Sequence, residues 1–233
     1  MKITPLKDDL ISGIIKIALH AGSAILEVYQ TEFEVFTKKD IRKDEIFHSP
    51  ITEADTQANI IITKGLGKIT PGIPILSEEG QDIPFQERSK WETYWLVDPL
   101  DGTKEFVKKN DEFTVNIALL ENNQPVFGVV YAPALNKTYW GSKDKGSFKL
   151  NNKNIPEPIE VKSYIRGPVK IAVSRSHTSL KINDFIAQFD EYDLYPMGSS
   201  IKICSVSDGT VHFYPRLGPT MEWDTAASHA IIR

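Results

Sequence analysis

Residues 95–106, WLVDPLDGTKEF, place an apolar, strand-like run directly before two aspartates, a proline, a glycine and a threonine. Pro99 fixes its own φ and bends the chain where the strand ends, so Asp98 and Asp101 can point into one cavity. Carboxylates are rarely buried together unless a cation compensates their charge. The stretch therefore predicts a buried strand that ends in a cation site.

The oxygen atoms available at this junction favour magnesium. The carboxylates of Asp98 and Asp101, with the carbonyl of Leu100, are hard oxygen ligands, and Mg²⁺ keeps waters that a phosphate can displace. Gly102 permits close backbone approach, and Thr103 can open a helix whose free N–H groups favour a phosphate. An alternative interpretation makes DPLDGT an ordinary turn with solvated aspartates.

Three further stretches set acids beside apolar residues: PITEAD (50–55), LSEEG (76–80) and EWDTAASHA (222–230). Several converging carboxylates need a multivalent cation if they are buried. These stretches therefore weaken the turn-only interpretation, and they add further acids to the candidate site.

The composition is that of a globular protein with a substantial core. The 233 residues are 41% hydrophobic and 25% charged, as expected of one domain or two tightly joined lobes. The net charge of −4 argues against a nucleic acid polymer as partner. The single cysteine, Cys204, suits a reducing compartment, so we expect a cytoplasmic protein. No signal peptide and no transmembrane segment is predicted.

Hydrophobic spacing predicts a long helix over residues 7–30, a polar link over about 36–49, and a second helix from Glu53. Antiparallel hairpins are expected from Tyr94 onward, since strand-like runs alternate with short turn sequences. The stretch 151–168, rich in Asn, Pro and Lys, is the best candidate boundary between two lobes. We therefore divide the chain into residues 1–155 and 156–233.

The second part alternates strand and helix. The expected elements are a strand in VKIAVSR, a helix around 178–189, a strand near 192–196, a helix in GSSIKICSVSDG and a strand in VHFYPR. Two α/β-type lobes that share a cleft are the predicted architecture.

The motifs WLVDPLDGTKEF, SEEG and WDTAA resemble the inositol monophosphatase superfamily of Mg²⁺-dependent, lithium-sensitive phosphatases, and within it the bacterial bisphosphate nucleotidases. The resemblance runs from the first helix to the last residue. It implies a layered αβαβα sugar-phosphatase-like fold of the α/β (α+β) class, with the active site in the cleft between two lobes. Family members continue beyond the helix in which this chain ends, so we expect an incomplete second lobe.

The same resemblance implies two to three Mg²⁺ ions per site. Glu78, Asp98 and the carbonyl of Leu100 would hold one ion. Asp98, Asp101 and Asp224 would hold a second, and Glu78 with waters would bind a third more weakly.

The resemblance also implies the catalytic groups. Asp55 would accept a hydrogen bond from the Thr103 hydroxyl, and the pair would orient the attacking water, whose pKa the metal lowers. Glu78 belongs to the catalytic set as a metal ligand. Backbone N–H groups of Gly102 and Thr103 would cradle the scissile phosphate, and hydrolysis would proceed in line without a covalent intermediate.

A second phosphate on the substrate would need its own cations. The nucleotidase subgroup has stretches like SRSH, GSSIK and YPRLG, and the resemblance implies that the 5'-phosphate and ribose are bound by His177, Ser199, Lys202 and Arg216. Lys104 of DGTKEF points to the same subgroup. In the alternative interpretation Arg175 and Lys202 are surface charges and GSSIK is a plain helix start.

The implied reaction is removal of the 3'-phosphate of adenosine 3',5'-bisphosphate to give AMP, with activity on the sulfated analogue, 3'-phosphoadenylyl sulfate. The alternatives are an inositol-phosphate or sugar-phosphate phosphatase and a non-catalytic nucleotide-binding protein. The expected partner is a small-molecule nucleotide. The sequence gives no signal for an oligomeric state, and no anchor or basic amphipathic stretch supports the peripheral association with the inner membrane that the resemblance allows.

Overall fold

The structure, a computed structural model, describes residues 3, 5–42, 45–164, 166–175 and 180–233. In these residues the helices are α1 (Asp8–Tyr29), α2 (Glu53–Ile69), α3 (Phe85–Arg88), α4 (Thr103–Val107), α5 (Leu180–Ile186), α6 (Ile201–Ser207) and α7 (Glu222–Ile232). The strands are β1 (Phe36–Arg42), β2 (Glu45–Ile51), β3 (Ile75–Ser77), β4 (Thr93–Asp101), β5 (Thr114–Glu121), β6 (Gln124–Ala132), β7 (Lys137–Ser142), β8 (Gly146–Leu150), β9 (Pro156–Pro158), β10 (Val169–Ser174) and β11 (Tyr192–Met197).

The central sheet has seven strands in the order β3-β4-β5-β6-β7-β8-β9. Strands β3 and β4 pair in parallel, and every other neighbouring pair in this sheet is antiparallel. Almost every residue of β4, β5 and β6 is buried, because both faces of the sheet are covered. Such coverage explains the near-continuous apolar runs in these strands.

Helices α1 and α2 cover one face of the sheet. Ile14 and Ile25 of α1 pack in the same apolar cluster as Trp95 and Ile117 of the strands. The alternation of side chains along a strand directs Trp95 to this face and Leu96 to the opposite one. The long amphipathic helix predicted at the N-terminus therefore serves as a core helix.

Helix α7 covers the other face. Ala227 and Ile231 pack with Leu96 and Ala118, and the helix approaches β6 so closely that a side chain at Gly128 would collide with the carbonyl of Ala227. This packing brings the acidic first turn of α7 toward the end of β4. The position of Asp224 thus follows from the core contacts of its helix.

A smaller parallel sheet, β10-β11, forms a further layer. Ile186 of α5 packs against Val169 and Ile171 of β10 in a separate apolar cluster. The layers are helices α1 and α2, the central sheet, helix α7 and the second sheet. This layered α/β arrangement confirms the predicted fold class.

Two local predictions were wrong. The expected polar link over 36–49 lies in the antiparallel hairpin β1-β2, whose backbone groups pair with each other although the side-chain pattern is not strand-like. The expected strand in VHFYPR forms only one isolated bridge, between Ile171 and Phe213. Strand β9 lies inside the stretch 151–168 and joins the central sheet. The division into residues 1–155 and 156–233 stays a prediction.

Among the described residues, α1 is the one helix long and apolar enough to span a membrane. Its apolar side packs against α2 and the central sheet, and eight of its residues are buried there. The core helix of a soluble protein can have the same length and apolar composition as a membrane-spanning helix, so α1 is weak evidence for a membrane span.

Candidate active site

The end of β4 carries a bulge at the acidic motif. Asp98 pairs with Asn116 and Asp101 pairs with Thr114, so three steps on β4 oppose two on β5. Pro99 has no N–H to donate to the ladder, and an extra residue at this place bends the strand. The bulge turns both aspartates of the motif toward one side of the strand end.

Three carboxylates meet beyond this bulge. Asp98, Asp101 and Asp224 each offer one oxygen, and these oxygens lie within 4.8 Å of one another. Asp98 is only 1% exposed, and burial raises its pKa well above the ordinary value, with further increases from Glu78, Asp101 and Asp224. Burial, together with the negative charge of Asp101, also raises the pKa of Asp224. The cluster is thus short of positive charge.

Glu78 lies at the start of the loop after β3, and its side chain has a cationic partner. The ammonium group of Lys38, on β1, donates to Glu78 Oε1 at 2.8 Å and to Glu79 Oε1 at 2.5 Å. Burial nevertheless raises the pKa of Glu78, although Lys38 opposes the shift. The hairpin therefore brings a cation to the edge of the acidic cluster.

Asp55 is buried at the start of α2 and is held by two residues. Its Oδ2 accepts hydrogen bonds from the Thr52 backbone N–H and from the Thr52 hydroxyl, both at 2.7 Å. Its Oδ1 accepts from the Thr103 hydroxyl at 3.2 Å, and that hydroxyl also lies 3.3 Å from the Leu100 carbonyl. Burial raises the pKa of Asp55, against the effect of these hydrogen bonds.

The loop before α6 contacts the metal-site candidate Asp101 directly. Asp101 Oδ2 accepts hydrogen bonds from the Ser199 hydroxyl and from the Ser200 N–H, both at 2.7 Å, and it lies 3.0 Å from the Ser200 hydroxyl. The Ser200 hydroxyl also lies 2.7 Å from the backbone carbonyl of Asp224. Two serines thus link the end of β4 with the start of α7.

The opposite end of the site is basic. A cavity of about 760 Å³ extends from Glu78, Asp101 and Asp224 to Lys202, Tyr214 and Arg216. The ammonium group of Lys202 donates to the Ser199 carbonyl at 2.7 Å and lies 5.3 Å from the centre of the Tyr214 ring. Lys202 is 5% exposed, and burial lowers its pKa. Its burial rules out the interpretation of Lys202 as a surface charge.

The structure brings most of the predicted site residues to this cavity. Its wall includes Glu78, Asp101, Gly102, Thr103, Lys104, Ser199, Lys202, Arg216 and Asp224. Asp55 and the Leu100 carbonyl reach it through their contacts with Thr103. The predicted substrate contact His177 lies outside the described residues. The roles assigned to these residues stay predictions.

Sequence reasoning missed several residues that support the site. Thr52 is the N-cap residue of α2 and holds Asp55 in a capping box. The T-x-x-D spacing in the sequence indicates this arrangement. The contact of Lys38 with Glu78 could not be predicted, because the sequence around Lys38 has no strand-like pattern. The hydroxyl of Thr114 lies 2.5 Å from that of Ser199, and Asn116 donates to Ser200, contacts that no spacing in the sequence indicates.

The chain matches the inositol monophosphatase family over residues 6–233. It therefore belongs to this family, whose members include metal-dependent phosphatases.

Among curated proteins, the chain is similar to the "3'(2'),5'-bisphosphate nucleotidase CysQ" of Salmonella typhimurium strain LT2, with 44% identity over 95% of this chain and 86% of that protein. The protein of the same name from Escherichia coli K12 is 41% identical over the same shares. Among solved structures, CysQ from Bacteroides thetaiotaomicron superposes with a TM-score of 0.80 at 38% identity, over 97% of this chain and 86% of that one.

Proposed function

We propose that this protein is a metal-dependent 3'(2'),5'-bisphosphate nucleotidase that converts adenosine 3',5'-bisphosphate to AMP and phosphate. One observation carries the proposal: Asp101 and Asp224, which cluster with the buried Asp98, line the same cavity as a buried lysine, Lys202. The carboxylates suit a metal that acts on one phosphate, and the lysine suits a second phosphate of the same substrate. The CysQ relatives carry the name of this activity.

The donor set fits Mg²⁺ as the ion. Asp98, Asp101 and Asp224 offer carboxylate oxygens close together, and Glu78 and the Leu100 carbonyl lie at the same strand ends. Hard oxygen donors without sulfur or imidazole favour magnesium over zinc or copper. When bound, two to three such ions would lower the pKa of a bound water and offset the negative charge of the phosphate.

Asp55 and Thr103 supply a path for the proton of the attacking water. Because Thr52 occupies Asp55 Oδ2, the other oxygen, Oδ1, is the one directed at Thr103. A hydroxyl has one proton, so Thr103 donates it to Asp55 and uses its oxygen to accept a hydrogen bond from water. The water is thereby oriented by Thr103, and the raised pKa of Asp55 makes this carboxylate a better general base.

The basic end of the cavity orients the substrate. Lys202 and Arg216 would bind the 5'-phosphate, with Ser199, His177 and Lys104 as further contacts to the nucleotide. Gly102 has φ near 90°, a left-handed conformation that glycine adopts without steric cost, and it lets the backbone N–H groups of residues 102 and 103 face the scissile phosphate. The same pocket would accept 3'-phosphoadenylyl sulfate, since the sulfate extends beyond the 5'-phosphate.

A cytoplasmic location belongs to this proposal. Cys204, the one cysteine of the chain, is buried and unpaired, which suits a reducing compartment.

The test is a phosphate-release assay on two substrates, adenosine 3',5'-bisphosphate and inositol 1-phosphate, with Mg²⁺ and with a chelator. We expect Mg²⁺-dependent release that is much faster from the nucleotide and that Li⁺ inhibits. Faster release from inositol 1-phosphate would identify a sugar-phosphate phosphatase instead. Calorimetric binding of the nucleotide without turnover at any Mg²⁺ concentration would identify a binding protein.

A further inference from the structure

One acid outside the carboxylate cluster lies where three chain segments meet. Glu112 lies two residues before β5, and its side chain is only 16% exposed. Glu112 Oε2 accepts hydrogen bonds from Arg175 Nε at 2.7 Å and from the Gly198 N–H at 2.8 Å, and Oε1 accepts from Arg175 Nη2 at 2.7 Å. A single carboxylate thus holds a guanidinium in two-point contact and a backbone amide.

The two partners of Glu112 come from both strands of the smaller sheet. Arg175 directly follows β10, and its Nη2 also donates to the carbonyl of Pro196 in β11 at 2.9 Å. Gly198 directly follows β11 and begins the loop that carries the predicted substrate contact Ser199. Glu112 therefore connects the central sheet to the ends of β10 and β11 on the side of the cavity.

Backbones of three segments touch around Glu112 without intervening side chains. A Cβ atom at Gly198 would lie 2.6 Å from the Glu112 carbonyl oxygen, and one at Gly102 would lie 3.1 Å from the same atom. Ser199 has φ near 53°, an uncommon value for a residue other than glycine. The loop is held in this conformation by contacts on both sides, and Glu112 makes one of them with its carboxylate.

The next residues of this loop hold Asp101. The Ser199 hydroxyl and the Ser200 N–H each donate to Asp101 Oδ2 at 2.7 Å, and the Ser200 hydroxyl lies 3.0 Å from the same oxygen. A displacement of Gly198 would therefore move the donors that orient a predicted metal ligand and would also move the start of the helix that carries Lys202. Both ends of the cavity depend on the same short loop.

We propose that Glu112 is a positioning residue: through Arg175 and the Gly198 N–H it fixes the loop that orients Asp101 for metal binding and Lys202 for the second phosphate. The inference rests on the proposed function for the identity of the substrate, but its effect on the metal site does not need turnover. Partners that hydrogen-bond a metal ligand directly change metal affinity by about 10–100-fold when they are lost, and Glu112 acts one contact further away, so we expect an effect at the lower end of this range.

The decisive variant is Glu112→Gln. The amide has the same shape, but it lacks the charge, and its NH₂ group cannot accept from Arg175 or from the Gly198 N–H. Binding of Mn²⁺ alone, followed by electron paramagnetic resonance, reports the metal site without substrate. We expect the Mn²⁺ dissociation constant to rise about tenfold and KM for adenosine 3',5'-bisphosphate to rise by a similar factor.

The matched control is Asp8→Asn, which removes the ion pair between Asp8 and Lys145, 2.6 Å long and remote from the cavity. This control should keep the Mn²⁺ affinity and KM of the wild type, and its melting temperature shows the effect of losing an ordinary ion pair. If Glu112→Gln does not fold, Arg175→Gln takes its place, because Arg175 is 45% exposed and its loss removes the same two-point contact.

Mn²⁺ affinity and KM that stay within about twofold of the wild type in the folded variant would overturn the inference. If the wild type does not hydrolyse the nucleotide and Glu112→Gln binds Mn²⁺ more weakly than the wild type, the positioning role of Glu112 is supported and the proposed function is refuted. If the wild type hydrolyses the nucleotide and Glu112→Gln binds Mn²⁺ as tightly as the wild type, only the positioning role is refuted.

Discussion

The two ends of the cavity balance charge in different ways. At the acidic end, Asp98 is 1% exposed, and the charged groups that raise its pKa, Glu78, Asp101, Asp224 and Asp55, are also negative. At the basic end, Lys202 is 5% exposed and its ammonium group already has an acceptor in the Ser199 carbonyl. Lys38 pairs with Glu78 and Glu79 at the edge of the acidic end, so the cluster of Asp98, Asp101 and Asp224 still favours an added cation, whereas the cationic groups of the basic end belong to the chain itself.

The difference indicates a division of roles. The acidic end would become catalytic when metal ions bind to it, and the basic end would select substrates that carry a second phosphate. Changes at the acidic end should affect turnover of any phosphate ester, and changes at the basic end should affect only substrates with a second phosphate. The predictions below test this separation, from the largest effect to the smallest.

The largest effect is expected from Asp98→Asn. A bound metal contributes several kcal/mol to transition-state stabilisation, so kcat/KM should fall by at least about 10³-fold on both adenosine 3',5'-bisphosphate and inositol 1-phosphate. Phosphate release under saturating Mg²⁺ measures the loss. A decrease confined to one of the two substrates would argue against a shared metal centre.

The same substitution should not destabilise the metal-free protein. Asp98→Asn keeps an acceptor for the Leu100 N–H and removes one of several repelling carboxylates, so the melting temperature in chelator should equal or exceed that of the wild type. The control is Asp208→Asn, because Asp208 is paired with Lys149 at 3.0 Å and its pKa is lowered. That variant should melt at a lower temperature with or without Mg²⁺.

The second effect concerns the proton path. Thr103→Val removes the hydroxyl between Asp55 and the water but keeps the side-chain shape, so kcat should fall about 10²-fold. KM and Mn²⁺ affinity should change little, because Thr103 offers no charge to the substrate or the metal. Thr103→Ser, which restores the hydroxyl, serves as control and should recover most of the activity. A normal kcat in Thr103→Val would remove Thr103 from the mechanism.

The third effect lies at the basic end. Lys202→Met keeps the length of the side chain and removes its charge, so KM for adenosine 3',5'-bisphosphate should rise about 10- to 100-fold, as expected for a lost charge-assisted hydrogen bond. The weak turnover of inositol 1-phosphate should be unchanged. Equal losses on both substrates would mean that Lys202 supports the fold of the loop and does not select the substrate.

Lys202 should also give the enzyme an alkaline limit. Burial lowers the pKa of Lys202, so the side chain loses its charge as the pH rises through a value below that of ordinary lysine. KM for the bisphosphate should therefore rise on the alkaline side, and the rise should be absent in Lys202→Met. A pH series of kcat/KM for the two proteins measures the difference.

The smallest effect is on stability. Mg²⁺ at about 100 times its dissociation constant should stabilise the wild type by about 2.7 kcal/mol and raise its melting temperature by about 5–10 °C. The Asp98→Asn variant should lack most of this increase, and Lys202→Met should keep it. A Mg²⁺-dependent increase of the same size in all three proteins would place the stabilising ions elsewhere.

The two ends also differ in how much of them the sequence predicts. The acidic end can be predicted from the sequence because Pro99 and the apolar run before Asp98 form one local pattern. The carboxylate side chains then predict metal binding and action on a phosphate. The mixed α/β class was equally accessible, since buried strands and amphipathic helices have their own periodicities, and the resemblance implied the layered order of the elements.

The supporting contacts could not be predicted in this way. Lys38 reaches Glu78 from a hairpin whose sequence has no strand pattern, and the serines of the loop before α6 bind Asp101 across the cavity. Glu112 reaches Arg175 and Gly198 by the same kind of long-range packing. Contacts of this kind depend on tertiary structure, and a single sequence has no local signal for them.

The separation of roles is tested most directly by the identity of the nucleotide product. Adenosine 3',5'-bisphosphate is incubated with the purified protein and Mg²⁺, and the product is resolved by chromatography against adenosine 5'-phosphate and adenosine 3'-phosphate standards. With the 5'-phosphate held by Lys202 and the metal site acting on the other phosphate, the product is adenosine 5'-phosphate, and none forms in chelator. Accumulation of adenosine 3'-phosphate, or a product that forms without metal, would contradict the account.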